Sequence, residues 1–311
     1  MRLSVFILTI LVVAAAPAPA PAFSEQVLES VVSVLPDWRG DLPGGAHPEG
    51  TAIAVLPGGY LATNGHVLGN AETLRIRLND GRLIEASIIA RDAATDIALI
   101  KAPLALPVLP PAPMPRLAQP VCAIGNQFGL GLSVTCGVVS AIHRTGTGFN
   151  DIEDFVQTDA TINPGGSGGA LVDGEGRLIG MVSAIFTKNS DADIGVNFAA
   201  ATELVMRVVS DLKDHGRVVR GSLGFQAGNL TKAEQAATVG VRVRKVERNG
   251  PAFSAGIEAG DMIQQVGRRA VRRTADLTSA LALFRPGERV PLRLDRDGSE
   301  RFVEVIMVAQ K

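Results

Sequence analysis

Asn163-Pro164-Gly165-Gly166-Ser167-Gly168-Gly169 sets one serine among four glycines, with the apolar pair Ala170-Leu171 directly behind it. Such a segment can be a plain flexible turn. It can also be a nucleophile loop, because glycines let successive backbone N–H groups turn toward one point beside an exposed hydroxyl. The apolar residues on both sides favour a loop packed on a sheet. A serine hydroxyl is a weak nucleophile alone, so it needs a base, and the base needs a group that orients it.

Working outward, the chain offers four histidines: His47, His66, His143 and His215. His215 ends a helical pattern and reads as a dipole partner. His47 lies in a Pro/Gly loop, and His143 follows an apolar strand and precedes Arg144. His66 stands in Leu61-Ala-Thr-Asn-Gly-His-Val67, directly after an apolar run, which puts it at a strand end. Asp96, in Ala94-Thr-Asp-Ile-Ala-Leu-Ile100, is a lone carboxylate opening an apolar run. Partial burial there is costly without a partner, although a strand-edge aspartate gives the same pattern. Asp92 reads as a turn residue and Asp159 as structural. The order His66, Asp96, Ser167 is that of the two-barrel, chymotrypsin-like triad. Gly165 to Gly169 also fits Gly-x-Ser-x-Gly, but an α/β-hydrolase needs the order Ser…Asp…His, and here both partners precede the serine.

The flanking sequence agrees with a mostly β chain. Of 311 residues 46% are hydrophobic and 20% charged, which is enough to bury a core and excludes a largely disordered chain. The formal net charge of −1 gives no reason to expect nucleic acid as a partner. Strands are predicted at 51–55, 74–78, 83–90 and 97–101, then at 121–124, 133–142, 170–172, 178–184 and 196–199. Between the two sets, 102–116 carries six prolines and reads as an extended connector. A helix over 201–215 has Leu204, Val205, Val208, Val209 and Leu212 on one face, with Gly216 as its stop. A domain boundary is placed near Gly216–Gly221. Beyond it, strands are predicted at 241–246, 261–266, 289–294 and 301–308, and a short helix at 275–283 with Thr274 as N-cap.

Several stretches together resemble the HtrA (DegP/DegS) family of serine proteases. They are Thr63-Asn-Gly-His-Val67, Ala94-Thr-Asp-Ile-Ala-Leu-Ile-Lys101, Ile124-Gly-Asn-Gln-Phe-Gly-Leu-Gly131 and Gln157-Thr-Asp-Ala-Thr-Ile-Asn-Pro-Gly-Gly-Ser-Gly-Gly-Ala-Leu171. The resemblance implies a mostly β protein: a chymotrypsin-like double β-barrel protease domain over 23–216 and a small α+β PDZ domain over 217–311. It implies a triad of His66, Asp96 and Ser167, an oxyanion hole from the N–H groups of Gly165 and Ser167, and a pocket wall from Ser183, Ala184 and Ile185. A preference for small or aliphatic residues would follow. Ser222-Leu223-Gly224-Phe225 resembles the carboxylate-binding loop of a PDZ domain, which would take C-terminal peptides as an added strand. The implied assembly is a homotrimer acting on unfolded proteins or peptides, without a cofactor or metal.

Two departures stand out. The family usually has Asn where this chain has Gly166, so the resting oxyanion hole is expected to be partly disordered, with activity depending on an activator. Glu49-Gly-Thr-Ala-Ile-Ala-Val55 also differs from the usual Gly-Ser-Gly form.

Residues 1–22 read as an export signal: Arg2, the uncharged run Leu3–Ala16, and the small-x-small site Ala20-Pro21-Ala22. The protein is therefore expected in the periplasm or outside the cell, with no membrane contact unless that segment stays as an anchor. An oxidising compartment allows a disulfide between Cys122 and Cys136, whereas adjacent-strand geometry is often poor for one, so the pairing is left open. Two other readings remain beside a quality-control protease: a narrow regulatory protease switched by PDZ peptides, and a chaperone-like peptide binder with little proteolysis.

Overall fold

The computed structural model describes residues 26–38, 49–185, 195–236 and 238–310. The export signal at 1–22 and His47 lie outside the described residues, as do the side chains of Ala184 and Ile185.

A single turn, α1 (Gln26–Glu29), leads into β1 (Val31–Pro36), followed by β2 (Gly50–Leu56) and β3 (Tyr60–Asn64). The turn α2 (Gly65–Leu68) follows, then β4 (Leu74–Arg77), β5 (Leu83–Asp92) and β6 (Ile97–Lys101). These six strands close in the order β1-β2-β3-β6-β5-β4. A second barrel repeats that order with β7 (Pro120–Gly125), β8 (Ser133–Arg144), β9 (Phe155–Thr158), β10 (Ala170–Asp173), β11 (Leu178–Ile185) and β12 (Asn197–Ala201). Closure leaves neither sheet with an open edge, which lets short, Gly-interrupted strands stay paired. The proline-rich connector crosses between the barrels without a regular element, touching the second through a bridge of Pro111 to Leu178.

One buried apolar cluster runs through both barrels, from Ile53 and Leu99 in the first to Ile124, Phe155 and Met181 in the second. The helix α3 (Thr202–His215) adds Leu204, Val205, Val208, Val209 and Leu212 to it. It packs on β5 and β6 of one barrel and on β11 and β12 of the other, so it holds the two together. Gly216 ends it in the left-handed region at φ 67°, its N–H returning to Leu212 O.

The remaining residues form a second unit with its own core. Its elements are β13 (Gly221–Ser222), β14 (Phe225–Asn229), α4 (Lys232–Gln235), β15 (Val241–Val246), α5 (Pro251–Ser254), β16 (Met262–Val266), β17 (Arg269–Ala270), α6 (Thr274–Leu281), β18 (Arg289–Arg296), β19 (Ser299–Ile306) and β20 (Val308–Ala309). The sheet order is β14-β15-β16-β18-β19, with β17 on β16 and a separate β13–β20 pair.

Two expectations need correction. The N-cap of α6 is Arg273, not Thr274, which is its first helical residue. Asp276 accepts the N–H groups of Arg272 and Arg273 at 2.9 and 3.0 Å, so the carboxylate one turn in sets where the helix starts. The strand predicted at 301–308 starts earlier, at Ser299, and is split where its partner changes: β19 pairs with β18 up to Ile306, Met307 bonds Gly287 and Glu288, and β20 pairs with β13.

Candidate active site

The antiparallel pairing of β3 with β6 sets Asn64 opposite Ile97. Because His66 follows one strand and Asp96 precedes the other, that register brings them together. Asp96 sits at φ 56°, an unusual conformation for a non-glycine residue, held because its carbonyl accepts Gly65 N and Asn64 Nδ2, each at 3.0 Å. Its carboxylate engages His66 twice: Oδ1 accepts the main-chain N–H at 2.8 Å and Oδ2 meets ring Nδ1 at 2.5 Å. The imidazole is 51% exposed and the carboxylate 18%. With Nδ1 committed to the carboxylate, Nε2 is left to exchange a proton with whatever enters from the solvent side.

The glycine-rich loop joins β9 to β10, and Ser167 on it is partly exposed. Five successive carbonyls of this loop are all held. Asn163 O accepts Gly166 N at 3.0 Å, Pro164 O accepts Phe128 N at 2.7 Å, and Gly165 O accepts the Thr51 hydroxyl at 2.7 Å. Gly166 O accepts Gly169 N at 2.9 Å, and Ser167 O accepts Thr51 N at 2.9 Å. Among the described residues, the N–H groups of Gly165 and Ser167 have no acceptor. They are two donors on one short loop beside a hydroxyl, the arrangement that stabilises a developing oxyanion. Gly165 is at φ 92°, where a Cβ would lie 2.3 Å from Asn126 O, so only glycine fits. Gly166 is not in the left-handed region, and a Cβ there would meet Asn163 O at 3.1 Å. The backbone here is therefore one that an asparagine can also adopt.

Ser167 Oγ makes no hydrogen bond to His66 among the described residues. The two are tied into one cluster through Thr51, which bonds Ser167 by its main chain and accepts Thr63 Oγ1 at 2.7 Å, three residues before His66. Catalytic hydrogen bonds are often long before substrate binds. Ser183 is buried, with Oγ 3.2 Å from Asn64 Nδ2, so it braces the histidine strand; of the expected pocket wall, only its side chain is described.

Cys122 and Cys136 face each other across β7 and β8 and are bonded. The ring they close holds Asn126 to Phe128, which touch the glycine-rich loop. Among the described residues no cluster of His, Cys, Asp or Glu could hold a metal.

His143 forms a second histidine–aspartate pair, with Asp154 at 2.9 Å. It faces the C-terminal unit, not the serine loop: Arg269 reaches Asp154 at 2.7 Å and Glu203 at 2.8 Å. Burial alone would raise the Asp154 carboxyl, but the His143 hydrogen bond and the Arg269 charge outweigh it and hold the group below the ordinary aspartate value. Asp92, read as a turn residue, is the buried end of β5 and pairs with Arg220 at 2.6 Å. Asp159 accepts Val138 N at 2.7 Å.

In the C-terminal unit, Ser222, Leu223 and Phe225 line a groove of about 240 Å³ between β14 and α6, closed on the helix side by Leu277 and Leu281. Gly224 stands at φ 74° and donates its N–H to Ser222 Oγ at 3.1 Å. An open strand edge beside an apolar helix face suits an added extended peptide.

The sequence assigns no role to Thr51, Thr63 or Asn126. Each is fully buried. A polar residue within or at the end of a buried strand must find a partner, and that is the signal by which they could have been found.

Residues 50–181 match the trypsin-like peptidase domain and residues 192–307 match the PDZ domain. The chain is 38% identical over 249 residues to the periplasmic serine endoprotease DegP of Salmonella typhimurium, covering 77% of this chain and 52% of that protein. It thus spans about half the length of the DegP proteins it matches. It is 33% identical over 272 residues to the serine endoprotease DegS of Escherichia coli, covering 82% and 75%. Among solved structures, the HtrA-type protease AlgW with a tripeptide superposes with a TM-score of 0.72 at 33% identity, covering 94% of this chain and 98% of that one.

Proposed function

The chain belongs to the HtrA family of serine endoproteases, and from that premise we propose that it hydrolyses peptide bonds in unfolded proteins with His66, Asp96 and Ser167 as its triad. Ser167 Oγ forms a bond to the scissile carbonyl carbon while its proton passes to His66 Nε2. The N–H groups of Gly165 and Ser167 hold the resulting oxyanion. Collapse breaks the C–N bond, and His66 returns the proton to the leaving amine. Water then enters by the same route: its oxygen bonds the acyl carbon as its proton passes to His66, and collapse breaks the bond to Ser167 Oγ, which takes the proton back from His66 as the acid leaves. Asp96 keeps the proton of neutral His66 on Nδ1 and stabilises the imidazolium.

The observation that carries this reading is an oriented His66 together with a loop in which the N–H groups of Gly165 and Ser167 have no acceptor among the described residues. Domain limits of 23–216 and 217–311 are part of the proposal, as are export with removal of residues 1–22, C-terminal peptides at Ser222–Phe225, the small or aliphatic preference and a trimeric assembly. The test is degradation of reduced, unfolded casein by the chain and by Ser167→Ala, with fluorophosphonate labelling as a second readout. Loss of both signals in Ser167→Ala supports the reading. Equal degradation by the two would defeat it.

A narrower regulatory protease is favoured by one observation. The peptide-binding unit is bonded to the protease barrels by Arg269 to Asp154, by Arg220 to Asp92, and by Thr145 Oγ1 to Asp276 at 2.5 Å. Peptide binding can therefore be sensed at the barrels. Stimulation of casein cleavage by an added C-terminal peptide separates this reading from constitutive degradation.

A further inference from the structure

We propose that Thr51 is a positioning residue for the oxyanion-binding loop, acting from the first barrel on donors that belong to the second. The assignment rests on Ser167 being the nucleophile.

Thr51 lies in β2 and is fully buried. Its hydroxyl accepts the Asn126 N–H at 2.9 Å and donates to Gly165 O at 2.7 Å. A hydroxyl carries one proton. With the Asn126 N–H taking a lone pair, that proton is directed at the Gly165 carbonyl. The Thr51 main-chain N–H holds Ser167 O at 2.9 Å. One residue thus grips the loop on both sides of Gly166, which has no side chain of its own to restrain it. The Gly165–Gly166 peptide is clamped at its N–H end by Asn163 O and at its carbonyl end by Thr51 Oγ1. That plane links the two donor planes, so its rotation would turn the Gly165 and Ser167 N–H groups apart. Glycine pairs are the sequence in which such rotation is least hindered.

Thr51 is fully buried and reaches the loop only through the main-chain carbonyls of Gly165 and Ser167. Its influence passes through Gly165 and Ser167, onto charge that develops only in the transition state, so it should appear in kcat and not in KM. Removing an oxyanion donor outright costs about 10²–10³ in kcat. Loosening one should cost less, about 10–10² in the same measure. A merely structural threonine would instead change the melting temperature and leave the kcat of the folded fraction intact.

The experiment compares the full chain with Thr51→Val and Thr51→Ser on a peptide substrate, with melting temperatures and the affinity of a peptide aldehyde. The aldehyde adduct places its own oxyanion in the hole. The expected result for Thr51→Val is a kcat lower by about 10–10² with KM within about twofold and aldehyde affinity reduced in parallel. Thr51→Ser, which keeps the hydroxyl, should recover kcat to within about threefold of the parent. Should Thr51→Val not fold, Thr51→Cys takes its place, because a thiol is a weak donor. The assignment is overturned by a valine or cysteine variant that keeps its kcat, or by a folded serine variant that does not regain it. A parent chain that neither cleaves peptide nor reacts with fluorophosphonate at Ser167 overturns the hydrolase reading itself, and this one with it.

Discussion

Asp96 holds His66 at two points, the main-chain N–H at 2.8 Å and ring Nδ1 at 2.5 Å, from a backbone conformation at φ 56°. Both carboxylate oxygens are used as acceptors. In Asp96→Asn one of them becomes an amide that can only donate. It then faces either the His66 N–H, which repels it, or Nδ1, which forces the ring proton onto Nε2. In that tautomer the base cannot accept from Ser167, and a loss of about 10⁴ in kcat is expected. Steady-state kinetics at neutral pH would measure it. A thermal melt should show little change, because the pair is partly exposed.

Gly166 tests the expectation of a partly disordered hole. Its φ lies outside the left-handed region, and a Cβ there would lie 3.1 Å from Asn163 O, a contact the carbonyl must ease slightly. Gly166→Asn should therefore keep basal kcat to within about threefold and change stability by less than about 1 kcal/mol, the entropy gain being set against that contact. A large rise in basal rate would instead show that the glycine had been holding the loop out of register.

Gly168 behaves differently. It stands at φ 84°, and a Cβ would lie 2.0 Å from Thr51 O and 2.5 Å from Thr63 Oγ1. Gly168→Ala forces β2 and the glycine-rich loop apart. A destabilisation of about 1–3 kcal/mol or more is expected from the backbone strain alone, together with near-complete loss of activity. Urea denaturation followed alongside hydrolysis reads both.

The Cys122–Cys136 bond closes a short ring between β7 and β8, the two cysteines 14 positions apart. Loop-closure entropy predicts a loss of about 2–4 kcal/mol on removing it. A double Cys122→Ala, Cys136→Ala variant should denature at correspondingly lower urea, and dithiothreitol should shift the parent chain but not the variant.

Acid should unfold the protein through its buried carboxylates. Burial raises Asp154, Asp211 and Asp261, but hydrogen bonds and nearby arginines (Arg269, Arg207 and Arg296 respectively) lower them further than burial lifts them. A depressed folded-state pKa contributes stability in full above the unfolded value of about 3.9 for aspartate, and the contribution is lost as pH falls through the folded value. Urea midpoints should change little through these groups between neutrality and about pH 5, then drop below about pH 4. Asp261→Asn should flatten that drop at a cost in neutral stability, since it leaves Arg296 short of a partner.

Much of this was legible in the chain. The strands Ile97–Lys101 and Val241–Val246 have the bounds their apolar patterns predict, and α3 starts one residue later than its pattern. Hydrophobic periodicity and turn chemistry are local, so they survive reading one residue at a time. The strands β9 and β14 were not legible. Phe155–Thr158 is only four residues long, and Phe225–Asn229 contains a glycine and an asparagine that disfavour strands. Both exist because a partner strand supplies the ladder. The order His66, Asp96, Ser167 was visible because order survives in one dimension. What the tertiary structure alone decided is how these residues meet. Thr51 and Gly165 lie 114 positions apart, and the hydroxyl that joins them has no signature beyond being polar and buried. A hydrogen bond between two barrels depends on distances that only closing and docking both barrels can set.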